Sequence, residues 1–405
     1  MSEFSFMEKL LDGVEVEWPA LGEVANYEQP TKYLVKTTNY REDFETPVLT
    51  AGKTFILGYT DETGGIYKAS KTPVIIFDDF TTANKWVDFD FKAKSSAMKM
   101  ISSADDSRTL SKYIYYWLNT LPSELVDGDH KRQWIGNYAK KEIPIPCPEN
   151  QKKSLEIQAE IVRILDTFTE LTTELTTELT TRKKQYNYYR DQLLSFEEGE
   201  VEHLPMGHEG IGEFIRGGGL QKKDFTEMGV GCIHYGQIYT HYGTYTDKTK
   251  TYVSKEFFKK ARKAKSGDLV IATTSENDED LCKAVAWLGS EDIAVSSDAC
   301  FYRHKLNPKY VSYFFQTEQF HKQKRQYITG TKVRRVNADN LAKILIPIPS
   351  PEEQARIVAI VDKFDTLTSS VSKGLPREIE LRQKQYEYYR DLLLSFPKPD
   401  AEVAA

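Results

Sequence analysis

The residues of this 405-residue chain best suited to binding chemistry lie in two basic clusters. The stretch His321–Arg335 holds six lysines and arginines and no acidic residue, and Asp129–Trp134 holds a smaller cluster. Arginine can bind guanine edges through two hydrogen bonds and lysine binds phosphate, so both clusters are candidate DNA contacts. Each precedes an Ile-Pro-Ile-Pro motif, at 143–146 and 346–349, and this recurrence favours a binding role over an ordinary solvated basic face.

Three further loops, at 52–59, 80–86 and 235–242, combine aromatic rings with hydrogen-bonding side chains. Such side chains suit contacts with base edges but equally suit ordinary loops. The stretch Lys255–Lys265 is basic at six of 11 positions, which predicts an exposed helix face or a phosphate contact rather than a base reader. The candidate DNA-binding residues are Lys53, Thr54, Tyr59, Thr82, Asn84, Lys85, His130, Lys131, Arg132, Gln133, Tyr235, Gln237, His241, Tyr242, Lys322, Lys324, Arg325, Lys332, Arg334 and Arg335.

Signals for catalysis are absent from the sequence. There is no Gly-x-x-x-x-Gly-Lys loop, no Gly-x-Gly-x-x-Gly motif after a strand, and no Asn-Pro-Pro-aromatic tetrapeptide of the kind that amino-methylating enzymes use. Gly217–Gly219, Asp78–Asp79 and Asp278–Asp280 are interpreted as turn residues. The four cysteines lack Cys-x-x-Cys spacing, which predicts free thiols rather than disulfides or zinc ligands. We therefore predict a non-catalytic chain without a metal site.

Two nearly identical helical segments must position these residues. Residues 161–168 recur at 357–364, and 182–196 recur at 382–396 with three substitutions in 15 positions. The first segment also carries three tandem Thr-Glu-Leu-Thr copies at 169–180. Apolar residues there step by three and four, which predicts an amphipathic helix over about 154–196. Threonine is a mediocre helix former, so this helix needs a partner helix.

The order of elements predicts a mixed α/β or α+β fold with an internal, pseudo-two-fold repeat. We expect two globular domains separated by two long antiparallel helices that form a coiled coil. The predicted segments are a first domain at 1–145, a central helical spacer at 146–199, a second domain at 200–348, a distal helical spacer at 349–398 and a tail at 399–405.

Local signals place single elements within this plan. Buried strands are predicted at Pro73–Phe77 and Asp268–Ala272, and helices at Tyr113–Leu118 and Pro308–Phe320. The Ser-Pro-Glu-Glu sequence from Ser350 predicts a capped helix start, with a break later at Gly374–Pro376. Between the domains, Leu21–Glu23 is matched with Ile211–Glu213. The stretch Glu8–Glu17 resembles the junction after the first helix, at 191–202, which predicts that the two termini meet.

Composition is that of an ordinary globular chain, with 40% hydrophobic residues and a mean hydropathy of -0.53. No apolar run approaches the ~18 residues of a membrane span. Met1–Phe6 lacks the pattern of a signal peptide, so we expect a cytoplasmic protein. The net charge of -6 argues against indiscriminate nucleic-acid binding but not against local basic clusters.

The chain resembles the specificity (S) subunit of bacterial type I restriction-modification enzymes, most closely the type IC branch. Three features carry the resemblance: the duplicated Tyr-x-Tyr-Tyr-Arg-Asp-x-Leu-Leu-Ser-Phe ends, the paired Ile-Pro-Ile-Pro exits and the Thr-Glu-Leu-Thr tract. The resemblance covers essentially the whole chain. It implies two target-recognition domains, each binding one half of a bipartite DNA site. It also implies helices that set the spacer and dock two methyltransferase (M) subunits. The helix residues expected to pack or dock are Leu171, Leu175, Leu179, Tyr186, Tyr189, Leu193, Tyr386, Tyr389 and Leu393.

The resemblance further implies that catalysis and cofactors belong to partner subunits. These would be an S-adenosylmethionine-dependent adenine methyltransferase and a restriction (R) subunit that uses ATP with Mg for cleavage. No cofactor and no membrane contact are expected for this chain. The alternatives are a structural adaptor that joins proteins without touching DNA, and a free-standing nuclease. The nuclease lacks an acidic metal constellation, and divergent domain middles between matching edges favour DNA reading over the adaptor.

The tandem tract has a consequence for spacing. Four residues lengthen a helix by about 6 Å and rotate it by about 40°. One base pair advances DNA by about 3.4 Å and rotates it by roughly 35°. The angular steps nearly match, while the axial step overshoots unless the helix is inclined to the DNA. We hypothesise that one Thr-Glu-Leu-Thr copy corresponds to one base pair of spacer.

Overall fold

The computed structural model describes residues 14–52, 54–122, 132–197, 199–369 and 374–398. The chain divides into two compact units: residues 1–173 with 381–405, and residues 174–380. Both divisions fall inside helical segments, so each unit keeps part of the spacers predicted at 146–199 and 349–398. No helix in the described ranges is long and apolar enough to cross a membrane.

Short strands and helices around a buried five-residue strand build the globular part of the first unit. Its strands are β1 (Val16–Glu17), β2 (Ala25–Glu28), β3 (Thr46–Leu49), β4 (Ile56–Thr60), β5 (Val74–Asp78), β6 (Asn84–Val87), β7 (Lys92–Ala93), β8 (Met98–Ser103) and β9 (Ile145–Pro146). Its helices are α1 (Leu21–Val24), α2 (Ser111–Leu118) and α3 (Gln133–Gly136), with 3₁₀ turns at Pro30–Tyr33 and Tyr138–Lys140. The sheets run β2-β8-β5-β6, β4-β3-β7 and β1-β9. Strand β5 confirms the buried strand predicted at Pro73–Phe77.

Helix α4 (Gln151–Leu193) is continuous over 43 residues and contains the whole Thr-Glu-Leu-Thr tract. The hydroxyls of Thr169, Thr172, Thr173 and Thr180 donate to the carbonyl oxygen four residues earlier, at 2.8–2.9 Å. Threonine hydroxyls that bond back to their own helix are satisfied without any tertiary partner. The helix predicted over 154–196 is therefore confirmed, with its start three residues earlier.

The second unit contains two five-stranded sheets and a set of short helices. Its strands are β10 (Glu202–Pro205), β11 (Gly212–Arg216), β12 (Phe225–Thr226), β13 (Val230–Ile233), β14 (Tyr245–Thr246), β15 (Thr251–Val253), β16 (Lys263–Ala264), β17 (Leu269–Ala272), β18 (Thr274–Ser275), β19 (Ala284–Trp287), β20 (Ile293–Val295), β21 (Ala299–His304), β22 (Arg334–Arg335) and β23 (Leu345–Ile348). Its helices are α5 (Tyr235–Thr240), α6 (Lys255–Lys260), α7 (Pro308–Phe314), α8 (Glu318–Arg325) and α9 (Ala338–Leu341), with a 3₁₀ turn at Lys222–Asp224. The large sheets run β11-β21-β17-β19-β14 and β12-β15-β13-β20-β16, and β10 pairs with β23. Strand β17 confirms the prediction at Asp268–Ala272.

The second helical segment consists of α10 (Pro351–Ser369) and α11 (Leu375–Leu393). The Ser350 hydroxyl accepts from the Glu353 amide at 3.2 Å, as a capping serine should. Gly374 precedes α11 with φ +79°, a left-handed conformation that glycine adopts without strain. The predicted cap and the predicted break are both confirmed.

Each unit pairs parts of the two helical segments through the same aromatic contact. In the first unit the rings of Phe168 and Tyr389 stack with centroids 5.2 Å apart. In the second unit Phe364 and Tyr189 stack at 5.7 Å. These are equivalent positions of the duplicated sequence, so the predicted helix–helix packing is present in both repeats.

A polar clasp joins α2 to the helical frame of the first unit. The Lys112 ammonium lies 2.8 Å from one carboxylate oxygen of Asp166, and the Tyr116 hydroxyl donates to the other. Tyr113 donates to the Pro144 carbonyl at 2.8 Å. Burial raises the pKa of Tyr116, and the Asp166 carboxylate raises it further. The hydroxyl therefore stays protonated and remains a donor.

The second unit repeats this clasp with its own residues. Lys309 lies 2.7 Å from Asp362, Tyr313 donates to the same carboxylate at 2.5 Å, and Tyr310 donates to the Pro347 carbonyl at 3.1 Å. The shared Lys-Tyr-x-x-Tyr pattern of α2 and α7 is a third element of the repeat. Aromatic residues dominate both helices, which obscures this pattern in the sequence.

Two predictions about the second unit are wrong. The helix predicted over Pro308–Phe320 is two helices, because Phe315 ends α7 and the Thr317 side chain caps α8. The match of Leu21–Glu23 with Ile211–Glu213 is also out of register. Leu21 donates to the Lys141 carbonyl at 2.7 Å, and Met206 donates to the Ile344 carbonyl at 2.9 Å.

The glycines next to these two donors confirm the corrected register. A β-carbon on Gly22 would lie 3.1 Å from the carbonyl oxygen of Ala139. One on Gly207 would lie 2.6 Å from the β-carbon of Ala342, the equivalent alanine. Leu21-Gly22 therefore corresponds to Met206-Gly207. The prediction that the termini meet is tested only in part, because residues 1–13 and 399–405 lie outside the described residues; just inside them, the Lys398 ammonium lies 4.8 Å from the Trp18 ring centroid.

The clasp predicts a stability effect of Asp166→Ala. The change leaves the Tyr116 hydroxyl and the Lys112 ammonium without their acceptor. We therefore expect the free energy of unfolding of the first unit to fall by about 1–3 kcal/mol. Urea unfolding followed by tryptophan fluorescence measures this, because four of the five tryptophans belong to that unit. Glu160→Ala on the same helix is the control. It breaks only an exposed pair with Arg163 and should cost less than about 1 kcal/mol.

Candidate DNA interface

The first candidate surface consists of the β5–β6 turn and the start of α3. Asn84 and Lys85 begin β6, and Arg132 immediately precedes α3 with its side chain exposed. The Gln133 amide donates to the Asp79 carbonyl at 2.8 Å, which brings these two segments together. Thr82 lies in the turn with φ +62° and is almost fully buried, so its role is to shape the turn. His130 and Lys131 lie outside the described residues.

The hairpin of β3 and β4 contributes Thr54 and Tyr59 to the same unit. Thr54 is exposed and Tyr59 is half-buried in β4. The Lys85 ammonium lies 4.5 Å above the ring of Phe55, the residue after Thr54. This cation–π contact places the hairpin beside the β5–β6 turn. Lys53 is outside the described residues.

The second candidate surface consists of Lys322–Arg325 on α8 and the loop Lys332–Arg335. Lys322, Lys332 and Arg335 are exposed. Arg325 is also exposed and pairs with Glu318 at 3.3 Å, a solvated contact that DNA can displace. Arg334 lies 2.9 Å from Asp278 and donates to the Gly330 carbonyl at 2.7 Å, so it holds the loop in shape.

Lys324 does not belong to this surface, although the sequence analysis counted it there. Only 1% of the residue is exposed, and its ammonium donates to the carbonyls of Asp278 and Leu281 at 2.8 and 2.7 Å. Burial lowers the pKa of this lysine. The sequence alone does not distinguish a buried lysine from an exposed one in the same cluster. The periodicity of the helix places Lys324 on its inner face.

The loop 235–242 is also largely structural. The Gln237 side chain accepts from the His234 amide and donates to the Thr251 hydroxyl, both at 3.0 Å, which caps α5. The buried Tyr242 hydroxyl accepts from the Lys250 amide at 2.7 Å, and burial raises its pKa to about 12. Tyr235 is half-buried and His241 is exposed, so only these two remain candidate contacts from the loop.

A basic surface that the candidate set omitted covers the second sheet. Lys259 and Lys260 on α6 and the neighbouring Arg262 are exposed, as are Lys222 and Lys223 on the preceding 3₁₀ turn. Leu220, Phe225, Phe257 and Phe258 pack these two segments onto one small hydrophobic cluster. The two segments that carry these five cations therefore pack on the same cluster. Their separation by more than 30 residues in sequence concealed this arrangement.

The helix residues divide into a buried set and an exposed set. Tyr186 is buried and donates to Gln316 at 2.9 Å, while Leu193 and Leu393 pack into the unit cores. Leu171, Leu175 and Leu179 are half-buried. Burial raises the pKa of Tyr386 to about 12. Tyr389 is half-buried, whereas Tyr189 is 47% exposed.

Tyr188 and Tyr388, which the sequence analysis did not select, are more exposed still, at 61% and 54%. They occupy equivalent positions of the duplicated helices. Exposed aromatic rings are enriched at protein interfaces, so both rings are candidate docking contacts.

The described ranges contain no group of three or more His, Cys, Asp or Glu side chains that could hold a metal ion. All four cysteines are free thiols, and burial raises the pKa of Cys282 to about 12. An inert thiol of this kind is neither a nucleophile nor a metal ligand at neutral pH.

A profile of the family described as "Type I restriction modification DNA specificity domain" matches the chain twice, at residues 14–182 and 209–381. The chain belongs to this family. The type I restriction enzyme EcoR124I/EcoR124II specificity subunit of Escherichia coli is 54% identical over 402 residues, covering 99% of each chain. A putative type I specificity subunit of Haemophilus influenzae is 31% identical over 416 residues, covering 97% of this chain and 98% of the relative.

The chain is thus a specificity subunit of a type I restriction-modification system with two target-recognition domains. Solved structures share its fold. The specificity subunit of M. genitalium superposes with a TM-score of 0.54 at 14% identity, covering 96% of this chain and 98% of that one. A chain from a structure of type I complex assembly and conformational transition gives 0.56 at 14% identity, covering 94% and 97%. The adaptor alternative is not favoured.

The burial of Lys324 and the exposure of Lys322 predict different effects for substitutions of these two lysines. Lys324→Met should lower the free energy of unfolding of the second unit by about 1–3 kcal/mol, because buried carbonyls lose their donor. Lys322→Gln should change it by less than about 0.5 kcal/mol. In the assembled complex, Lys322→Gln should instead reduce the salt dependence of DNA binding by about one phosphate contact, a change of ~0.9 in slope. An unchanged slope for Lys322→Gln would remove α8 from the interface.

Proposed function

We propose that each unit binds one half of a bipartite, asymmetric DNA sequence. Two related units support this, because they keep the same frame while their candidate DNA contacts differ. The first unit presents a strand turn and the start of a short helix, with Asn84, Lys85 and Arg132. The second presents Lys322 and Arg325 on a helix and a basic loop ending at Arg335. Different side chains on a common frame suit two different half-sites.

The proposed partners are two methyltransferase subunits, one for each copy of the duplicated helix surface. Tyr188 and Tyr388 supply equivalent exposed rings for these contacts. A symmetric frame of this kind suits two copies of one partner. The adenine methylation step, with S-adenosylmethionine, would then belong to those partners, and ATP-driven, Mg-dependent cleavage to a restriction subunit. The chain itself would bind DNA without catalysis, in the bacterial cytoplasm.

The deciding experiment is single-molecule methylation sequencing of DNA from cells that express this chain with its neighbouring methyltransferase subunit. We expect a bipartite methyladenine motif with a fixed gap that is absent when the methyltransferase is expressed alone. The motif would give both half-sites at once. Identical methylation in the two samples, with assembled proteins, would contradict the proposal.

The tandem tract sets the proposed gap. Removing one Thr-Glu-Leu-Thr copy from α4 shortens the helix by about 6 Å, with a rotation near that of one base pair. We expect the same half-sites with a spacer one base pair shorter in the methylation map. A matched control keeps the length of the helix and replaces one copy with Ala-Glu-Leu-Ala. This variant should keep the wild-type spacer. A deletion variant with the original spacer would rule out this role of the tract.

A further inference from the structure

A buried ion pair lies directly beneath the first candidate surface. Asp79 follows β5 and is 1% exposed, and Lys99 in β8 is fully buried. The Lys99 ammonium lies 3.2 Å from the Oδ2 atom of Asp79. This contact lacks hydrogen-bond geometry, and neither atom has a hydrogen-bond partner among the described residues. The Lys99 ammonium also lies 5.7 Å from the Tyr27 ring centroid.

Asp79 also caps α3, which belongs to a distant part of the chain. Its backbone carbonyl accepts from the Gln133 amide at 2.8 Å, and its Oδ1 atom accepts from the Trp134 amide at 2.9 Å. These are amides of the first helical turn, which have no acceptor within a helix. The residue that precedes α3, Arg132, makes no side-chain capping bond. Asp79 thus supplies the cap that α3 lacks.

The same residue anchors the β5–β6 turn. The Asp79 amide donates to the Ala97 carbonyl at 3.0 Å, and the neighbouring Asp78 carboxylate accepts from the amides of Phe80 and Thr81 at 2.9 and 3.2 Å. The turn closes through Thr82, which adopts the left-handed φ of +62°. The turn and α3 therefore meet at one aspartate.

The second unit provides a contrast. Its short helix before the Ile-Pro-Ile-Pro exit, α9, is capped by its own Asn337, whose side chain accepts from the Asn340 amide at 2.8 Å. A four-residue helix needs such a cap, and a local side chain is sufficient to supply it. A fully buried charge pair is not required for folding, because replacing one with apolar residues is often neutral or stabilising. The Asp79–Lys99 pair therefore calls for another explanation.

We propose that Asp79 and Lys99 are positioning residues for the half-site bound by the first unit. Lys99 orients the Asp79 carboxylate, and Asp79 joins the β5–β6 turn to α3 as one rigid piece. Asn84 and Lys85 on the turn side are then held in a constant arrangement with Arg132 and Gln133. Base reading depends on such fixed geometry between separate segments. This inference rests on the proposed function.

The test uses the double variant Asp79→Leu/Lys99→Met, assembled with the methyltransferase subunit. The change removes both charges together, so no lone charge is left buried, and it removes the acceptor of the Trp134 amide. We expect about tenfold weaker discrimination against single-base changes in one half-site. Discrimination in the other half-site should be unchanged, and methylation sequencing reads both in one sample.

Two matched variants separate positioning from general stability. Asp79→Asn/Lys99→Met keeps an oxygen for the Trp134 amide and should recover most of the discrimination. Glu62→Leu/Lys92→Met removes another ion pair of the same unit, in which Lys92 is buried and the atoms are 3.1 Å apart, and should leave both half-sites unchanged. Lys92 holds the Gly64 carbonyl rather than α3, which makes it a suitable control.

The outcomes are distinct. Unchanged discrimination in Asp79→Leu/Lys99→Met, equal relaxation of both half-sites, or the same relaxation in Glu62→Leu/Lys92→Met would overturn the inference. Should Asp79→Leu/Lys99→Met fail to assemble, Asp79→Ala/Lys99→Met removes the same charges and the same acceptor of the Trp134 amide, and wild-type discrimination there would overturn the inference too. Absence of a bipartite motif in the wild-type complex would instead refute the proposed function itself.

Discussion

The structure depends on a carboxylate in each helical frame that accepts from a lysine and a tyrosine together. Asp166 binds Lys112 and Tyr116, and Asp362 binds Lys309 and Tyr313. A half-buried carboxylate is destabilising unless its oxygens accept hydrogen bonds. Here both oxygens have donors, and the two donors come from one short helix. The constraint fixes both the rotation and the height of that helix on the frame. Each globular domain is thereby attached in the same way.

Because the attachment is made by the frame, the domain interiors are free to differ. The first unit builds a four-stranded sheet, β2-β8-β5-β6, and the second builds two sheets of five strands. Their candidate surfaces are also anchored differently. A buried aspartate caps α3 in the first unit, while the buried Lys324 of the second binds the carbonyls of a neighbouring loop. Buried polar groups must be satisfied, but many arrangements satisfy them, and each fixes a different loop geometry.

The sequence predicted the parts of the fold that depend on local pattern. The helix over the tandem tract, its partner segment with the Ser350 cap, and the strands around Ile75 and Val270 follow from periodicity and turn chemistry. The register of Leu21-Gly22 could not be predicted, because it depends on the close approach of Ala139. Lys324 and Tyr242 were misassigned for a similar reason. Whether a polar side chain faces solvent or a buried carbonyl is decided by tertiary packing, which composition does not report.

The tandem tract is a part of the helical frame whose threonine hydroxyls are bonded within the helix itself. The hydroxyls of Thr169, Thr172, Thr173 and Thr180 donate to carbonyls four residues earlier in α4 and so need no acceptor from another element. Asp166 lies before the tract and Tyr186 after it, so the residues that lock each unit remain intact when a copy is added or removed. Adding or removing a copy therefore leaves these hydroxyls with backbone acceptors inside the helix.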